Sequence, residues 1–170
     1  MNYSEIFNLT DLAPVPTLDV FREDTSACKW GLTDLYPEHE KALRAAIDSG
    51  KGFDTGWCYC VKEIRSFRIV SDGKVITVLA YEEMDDIDDL IDDAIDSQTE
   101  LTDDQEEKIR DYYYCYGMTS ELESETTIPA TTYEDVMKAL EELENSNSEQ
   151  LESWFRMIQD YAQSVIEGEV

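Results

Sequence analysis

Residues 63–81, EIRSFRIVSDGKVITVLAY, hold two runs of β-branched and aromatic residues on either side of Asp72-Gly73. An Asp-Gly pair supplies the positive φ angles of a tight hairpin turn, and the flanking runs have the composition of strands. The pattern predicts an antiparallel hairpin of Glu63–Val70 and Lys74–Tyr81. A further strand is predicted at Gly56–Val61, so the centre of the fold is a small antiparallel sheet of about three strands.

The residues before the sheet predict one helix behind an extended arm. Residues 1–30 are interrupted by Pro14 and Pro16 and suit an extended arm. Pro37 at an early position and Gly50 as a stop predict a helix over Pro37–Asp48. Its inward stripe comprises His39, Leu43, Ala46 and Ile47.

The residues after the sheet predict helices. Asp85–Asp96 has helical periodicity, and Thr102 can cap a helix to about Tyr116, with Glu106 close to the capping-box position. We predict a loop at 119–130 and two helices separated by a turn at Asn145-Ser146-Asn147. These two helices span Tyr133–Glu144 and Ser148–Ile166.

The whole chain is therefore predicted to be an α+β protein. A small antiparallel sheet of about three strands packs with four to five helices, mostly in the C-terminal half. We expect one domain over residues 1–170. It comprises an arm (1–30), a helix plus sheet (31–82) and an acidic helical region (83–170).

The acidic region begins with a run of unusual charge. Glu82–Glu107 holds fourteen Asp or Glu residues and no Lys or Arg. As a helix, Asp85–Asp96 buries a stripe of Ile87, Leu90, Ile91, Ala94 and Ile95 and turns seven Asp to water. Eight like-charge pairs at i,i+3 or i,i+4 then cost about 2–4 kcal/mol. A face that opposes folding to this extent indicates that the charge itself serves the function.

The net charge of −27 is concentrated in the C-terminal half. Residues 1–74 hold twelve acids and nine bases, whereas residues 75–170 hold twenty-eight acids and four bases. Such a field repels nucleic acid and anionic membranes and attracts basic protein surfaces. Halophilic adaptation would spread the acids evenly, so the asymmetry argues against it.

Catalytic chemistry finds little support in the sequence. His39 is the only histidine, and Cys58 and Cys60 lack the second cysteine pair of a zinc site. Asp85–Asp96 lacks the central Gly and terminal Glu of a calcium loop. We therefore expect no enzyme, no metal and no cofactor. The N-terminus, MNYSEIFNL, has no leader-like apolar run, which predicts a cytoplasmic protein with reduced cysteines.

Two further clusters stand out. Tyr112-Tyr113-Tyr114-Cys115-Tyr116 cannot bury every ring in one core, so one or two tyrosines should be exposed beside Asp111. Core and boundary packing is the leading interpretation of this run. The alternative is an interface anchor, since Tyr is favoured at binding hot spots. The basic residues of the predicted strands solvate the sheet or pair with the acidic helix, and a small basic groove is the alternative. These bases are Lys62, Arg65, Arg68 and Lys74.

The leading hypothesis is nucleic-acid mimicry. Carboxylates at i, i+3 and i+4 of a helix lie about 5–6 Å apart, and Arg pairs with carboxylate in the same fork as with phosphate. The predicted partner is a nucleic-acid-binding protein, reached through its basic groove, with no direct nucleic acid and no membrane. The predicted partner-binding residues are Asp85, Asp86, Asp88, Asp89, Asp92, Asp93, Asp96, Asp103, Asp104, Glu106, Glu107 and Tyr113.

This chain resembles the acidic antirestriction and anti-CRISPR inhibitors of phages and mobile elements. The resemblance rests on the Glu82–Glu107 run and on the acids at Glu121–Glu125 and Glu141–Glu144. FDTGWCYCVKEIRSF with SDGKVITVLAYEEMDD is also similar to small proteins of gut-bacterial mobile elements. The resemblance implies that the target is a CRISPR effector such as Cas9, or a restriction enzyme. The acids would then bind the arginines that read the protospacer-adjacent motif or line the duplex channel. The alternative is an acidic adaptor that binds a basic partner without mimicry.

Overall fold

The computed structural model describes residues 11–16, 18, 35–59, 65–83, 101–115 and 121–170. Along the described chain, one helix is followed by four strands, a second helix, a fifth strand and a third helix. The helices are α1 (Pro37–Asp48), α2 (Asp103–Cys115) and α3 (Tyr133–Glu167). The strands are β1 (Phe53–Asp54), β2 (Cys58–Tyr59), β3 (Arg65–Ser71), β4 (Val75–Glu83) and β5 (Glu121–Pro129).

The predicted hairpin forms the centre of the sheet. β3 and β4 pair antiparallel from Arg65↔Glu82 to Ser71↔Ile76. Asp72 Oδ1 accepts hydrogen bonds from the N–H groups of Lys74 and Val75 at 2.8 and 2.9 Å, so its side chain holds the turn. Gly73 has φ of 89°, and a Cβ there would collide with the carbonyl oxygen of Gly50. The turn therefore requires glycine at this position.

The other strands extend the sheet on both sides of the hairpin. β1 and β2 each pair antiparallel with β3, through Phe53↔Ser71 and Cys58↔Phe67. β5 lies beside β4, so the strand path is β1-β3-β4-β5 with β2 off this path on β3. The Thr77 and Thr127 hydroxyls are 3.0 Å apart across the last pair.

The sequence prediction of about three strands and four to five helices is wrong. Within the described residues the main path of the antiparallel sheet has four strands, and there are three helices. Strand β5 lies where the sequence predicts a loop at 119–130, and Glu121–Pro129 alternates exposed and half-buried residues with the period of a strand. The α+β class itself is correct.

One predicted helix break is also wrong. Asn145-Ser146-Asn147 lies inside the 35-residue helix α3 instead of forming a turn. Asn147 is 1% exposed, its Nδ2 donates to the carbonyl of Ala80 on β4, and its Oδ1 accepts from the Ser124 hydroxyl on β5. Partners on the sheet therefore satisfy a side chain that would otherwise compete with the helix backbone.

The chain divides into two compact units. Unit 1 comprises Met1–Glu82 and Glu123–Asn147, and unit 2 comprises Glu83–Leu122 and Ser148–Val170. The boundary after Glu82 lies where the acidic region is predicted to begin. Residues 123–147 follow that boundary in the sequence but belong to unit 1, which also holds β3.

Unit 1 is built around one face of the sheet. Phe67, Ile69, Ile76 and Val78 cluster with Leu43 of α1 and Leu140 of α3. Arg44 of α1 lies 4.0 Å from the Tyr133 ring centre and bonds to Glu134 at 2.6 Å, so a charged clamp joins α1 to the start of α3.

Candidate interaction surface

Helix α2 carries the described part of the predicted binding surface, and its first turn fixes which acids stay free. Gln105 Oε1 accepts from the N–H and the hydroxyl of Thr102, at 2.9 and 3.2 Å. Thr102 is therefore the cap, as predicted, but Gln105 and not Glu106 occupies the third helical position that reaches back to it. The carboxylate of Glu106 remains on the surface.

The buried side of α2 determines the direction of its acids. Ile109 and Tyr113 cluster with Ile158, Ala162 and Val165 of α3 in the core of unit 2. Five carboxylates of α2 lie at exposed positions, and we call them the α2 acidic face. Its members are Asp103, Asp104, Glu106, Glu107 and Asp111.

None of these five carboxylates forms an ion pair with another residue of the described chain. Asp103, Glu107 and Asp111 follow one another at i, i+4 and i+8, so they form a row with a spacing of about 6 Å along the axis. The first turn has the added benefit of the positive helix terminus. Past that turn, the like charges repel one another.

Five of the described cations pair with carboxylates outside the α2 acidic face. They are Arg44 with Glu40 and Glu134, Lys51 with Asp11, Arg68 with Asp54, Lys138 with Glu142, and Arg156 with Glu152. On α2 itself, Lys108 Nζ donates to the main-chain oxygen of Val170 at 3.3 Å.

The tyrosines of α2 divide into buried and exposed members. Tyr113, predicted to bind a partner, is 5% exposed and belongs to the core, whereas Tyr114 is 65% exposed and lies one turn beyond Asp111. Tyr112 stacks on Tyr161 of α3, with ring centres 3.9 Å apart and planes 7° apart. A partner that reaches this face meets Tyr114 and not Tyr113.

The remaining predicted binding residues fall outside the part of the chain that the structure describes. These residues are Asp85, Asp86, Asp88, Asp89, Asp92, Asp93 and Asp96. Sequence reasoning in turn left out Asp111, although its position four residues after Glu107 signals that it continues the same helix face.

The basic cluster of the sheet resolves into a forked ion pair. Arg68 Nε and Nη2 donate to Asp54 Oδ1 and Oδ2 at 2.9 and 2.6 Å. Burial alone would raise the pKa of Asp54, but the hydrogen bonds from Arg68 and from the Gly56 N–H outweigh it and lower the pKa. Arg68 thus pairs with an acid of β1. The predicted pairing with the acidic helix involves Asp85–Asp96, which lies outside the described residues, as do the side chains of Lys62 and Arg65.

The residues considered for catalysis lie apart from the α2 acidic face in the sequence and serve local packing. His39 is half-buried, with its ring edge-on to Tyr36 at 5.9 Å. Cys58 is buried and its thiol donates to the Gly56 carbonyl at 3.5 Å. Across the described ranges, no group of three or more His, Cys, Asp or Glu side chains is arranged to hold a metal ion.

Comparison with known proteins adds no relative. No family model matches the chain, and neither the curated proteins nor the solved structures include a match to it. Among the helices that the structure describes, none combines the length and apolarity needed to cross a membrane.

Proposed function

We propose that this protein binds the basic, nucleic-acid-binding groove of another protein and blocks it. The observation that carries the proposal is the α2 acidic face, whose exposed carboxylates are not paired with other described residues. Unpaired carboxylates are available to foreign cations without breaking an internal ion pair. Since Arg binds carboxylate and phosphate in the same forked geometry, a groove built for phosphates also accepts these acids.

The density of charge on α2 supports mimicry of a polyanion. Asp103–Asp111 holds five carboxylates in nine residues, or about 12 Å of helix axis, which is one per about 2.4 Å. Duplex DNA carries one phosphate per about 1.7 Å of axis, and one strand alone carries one per about 3.4 Å. The spacing of the carboxylates falls between these values. Lys108 and Arg110 lie in the same segment and reduce its net charge to −3.

The proposed target is a nucleic-acid-binding defence enzyme. The resemblance in charge and size to antirestriction and anti-CRISPR inhibitors points to a restriction enzyme or to a CRISPR effector such as Cas9. In such a target the arginines that read the protospacer-adjacent motif or line the duplex channel are the cations to be occupied. The Asp85–Asp96 run extends the proposed surface on sequence grounds.

A competition experiment with matched variants tests the proposal. Guide-loaded Cas9 and a panel of restriction enzymes are each mixed with labelled duplex, and duplex binding is followed by gel shift as the protein is added. We expect duplex to be displaced from at least one target, with weaker inhibition at higher salt. The variant that neutralises the surface is Asp103→Asn, Asp104→Asn, Glu106→Gln and Glu107→Gln.

The control variant removes the same number of charges from exposed acids elsewhere. It carries Glu38→Gln, Asp48→Asn, Glu149→Gln and Asp160→Asn. Inhibition should fall at least about tenfold in the α2 variant and much less in the control, because contact depends on local rather than total charge. Two results would contradict mimicry. One is an equal loss of inhibition in the two variants, and the other is a complex of the protein with its target that excess duplex cannot dissociate.

A further inference from the structure

A groove of about 320 Å³ lies within unit 1, where the end of β5 meets the first turns of α3. Ile128, Pro129 and the buried Ala139 give it an apolar floor. Its volume is at the lower end of the range for small-molecule pockets, so it suits one side chain better than a cofactor.

Three charged side chains of α3 line the groove. Asp135, Lys138 and Glu142 stand at i, i+3 and i+7, so they share one helix face. Their net charge of −1 disfavours an anionic occupant. The apolar floor distinguishes the groove from a plain acidic patch, because a small hydrated cation gains nothing from it.

Asp135 is held in place as an ionised group. Its Oδ2 accepts from the Thr132 hydroxyl at 2.8 Å, and the Asp135 N–H donates back to that hydroxyl at 3.2 Å. Hydrogen bonds from the hydroxyl groups of Thr132 and Thr131 lower the pKa of Asp135. The helix cap therefore supplies a fixed negative charge at one end of the groove.

Glu142, at the other end, has a weak partner. Lys138 Nζ lies 3.6 Å from Glu142 Oε1, and the two side chains are 74% and 68% exposed. Charge-assisted hydrogen bonds normally measure about 2.7–2.9 Å, so this pair is easily exchanged. A guanidinium can displace the lysine because it donates two parallel hydrogen bonds to one carboxylate, whereas an ammonium acts as a single point charge.

We propose that this groove binds an arginine side chain of a partner protein. The aliphatic stem of this arginine packs on Ile128, Pro129 and Ala139. Its guanidinium replaces Lys138 as the ion-pair partner of Glu142. Long cationic side chains bind in this manner, with an apolar stem covered and a charged head at the rim. The inference goes beyond the α2 acidic face, since it concerns other residues in the other unit, and it can hold or fail independently.

Methyl NMR of Ile128 and Ala139 tests the proposal directly. The probes are acetylated, amidated Gly-Arg-Gly, the same peptide with citrulline, and the same peptide with glutamate. We expect saturable shifts of both methyl groups with the arginine peptide and about tenfold weaker binding of the citrulline peptide, which keeps the shape and loses the charge.

Two variants complete the experiment. Glu142→Gln, an exposed position whose amide spectrum reports intact folding, should weaken the arginine peptide by about tenfold. Glu149→Gln removes the same charge from unit 2 and should leave the affinity unchanged. Equal binding of arginine and citrulline, an unaffected Glu142→Gln, or stronger binding of the glutamate peptide would each overturn the proposal; the last would indicate an anion site directed by Lys138.

Discussion

At the residue scale, the few cations of this acidic chain have different energetic weights. Arg68 and Asp54 form a forked pair whose side chains are 20% and 13% exposed. Lys51 and Asp11 form a pair that is 48% and 76% exposed. Water screens the second pair far more than the first, so we expect only the first to contribute much to folding.

The first prediction concerns this difference. Asp54→Asn should lower the free energy of unfolding by about 1–3 kcal/mol, because Arg68 keeps its charge and loses its charged acceptor. The matched control, Asp11→Asn, should change it by less than about 1 kcal/mol. Urea unfolding followed by circular dichroism measures both. Equal effects would show that the fork contributes no more than a surface pair.

The second prediction concerns pH. The folded state lowers the pKa of Asp54 below its unfolded value of about 3.9. A lowered carboxyl pKa contributes stability that is present above the unfolded pKa and lost as the pH falls through the folded one. The stability difference between wild type and Asp54→Asn should therefore be constant near neutral pH and shrink below about pH 4. Urea unfolding at several pH values measures it; a difference that grows on acidification would contradict the assignment.

At the element scale, tertiary partners decide the length of α3. Local sequence predicts a break at Asn145-Ser146-Asn147, since Asn and Ser are weak helix formers. The buried side chain of Asn147 instead bridges Ala80 of β4 and Ser124 of β5. A residue that disfavours the helix locally thus anchors the helix to the sheet.

The third prediction separates these two effects. Asn147→Ala should gain up to about 0.7 kcal/mol of helix propensity and lose about 1–3 kcal/mol, because the buried carbonyl of Ala80 and the half-buried hydroxyl of Ser124 each lose the hydrogen bond to Asn147. We therefore expect net destabilisation. Asn145→Ala, at an exposed position of the same helix, should be neutral or slightly stabilising. Thermal unfolding of the two variants provides the comparison, and a stabilised Asn147→Ala would contradict the bridging role.

At the scale of the whole molecule, self-repulsion opposes folding. The net charge is −27, and the acids of the α2 acidic face form no ion pair within the described chain. Salt shortens the reach of such repulsion, from a Debye length of about 30 Å at 0.01 M to about 10 Å at 0.1 M. The protein should therefore be least stable at low salt.

The fourth prediction follows from this repulsion. The melting temperature should rise as salt increases over this range. The rise should be smaller in the variant with Asp103→Asn, Asp104→Asn, Glu106→Gln and Glu107→Gln, which should also melt at a higher temperature at low salt, since like-charge neighbours cost about 0.2–0.5 kcal/mol each. Calorimetry at two salt concentrations measures both effects. A melting temperature that falls with salt would indicate that attractive ion pairs dominate instead.

Elements whose signals are local can be predicted from the chain alone. Pro37 and Gly50 mark the two ends of α1, and Asp72-Gly73 marks the hairpin turn. Thr102 marks the start of α2. These signals are local because caps and turns depend on residues close in the chain. For the candidate site, the pattern located the acids of α2. It did not determine which tyrosine is exposed, since Ile158 and Val165 of α3 fix the rotation of the helix.

The other elements depend on contacts between residues that are distant in the chain. Glu121–Pro129 becomes a strand because β4 offers an edge to pair with, and its alternation of residues gains meaning only with that neighbour. Asn147 stays helical because its side-chain amide forms hydrogen bonds with Ala80 of β4 and Ser124 of β5. In both cases the interactions that stabilise the element come from residues distant in the sequence, so no local pattern could fix the outcome.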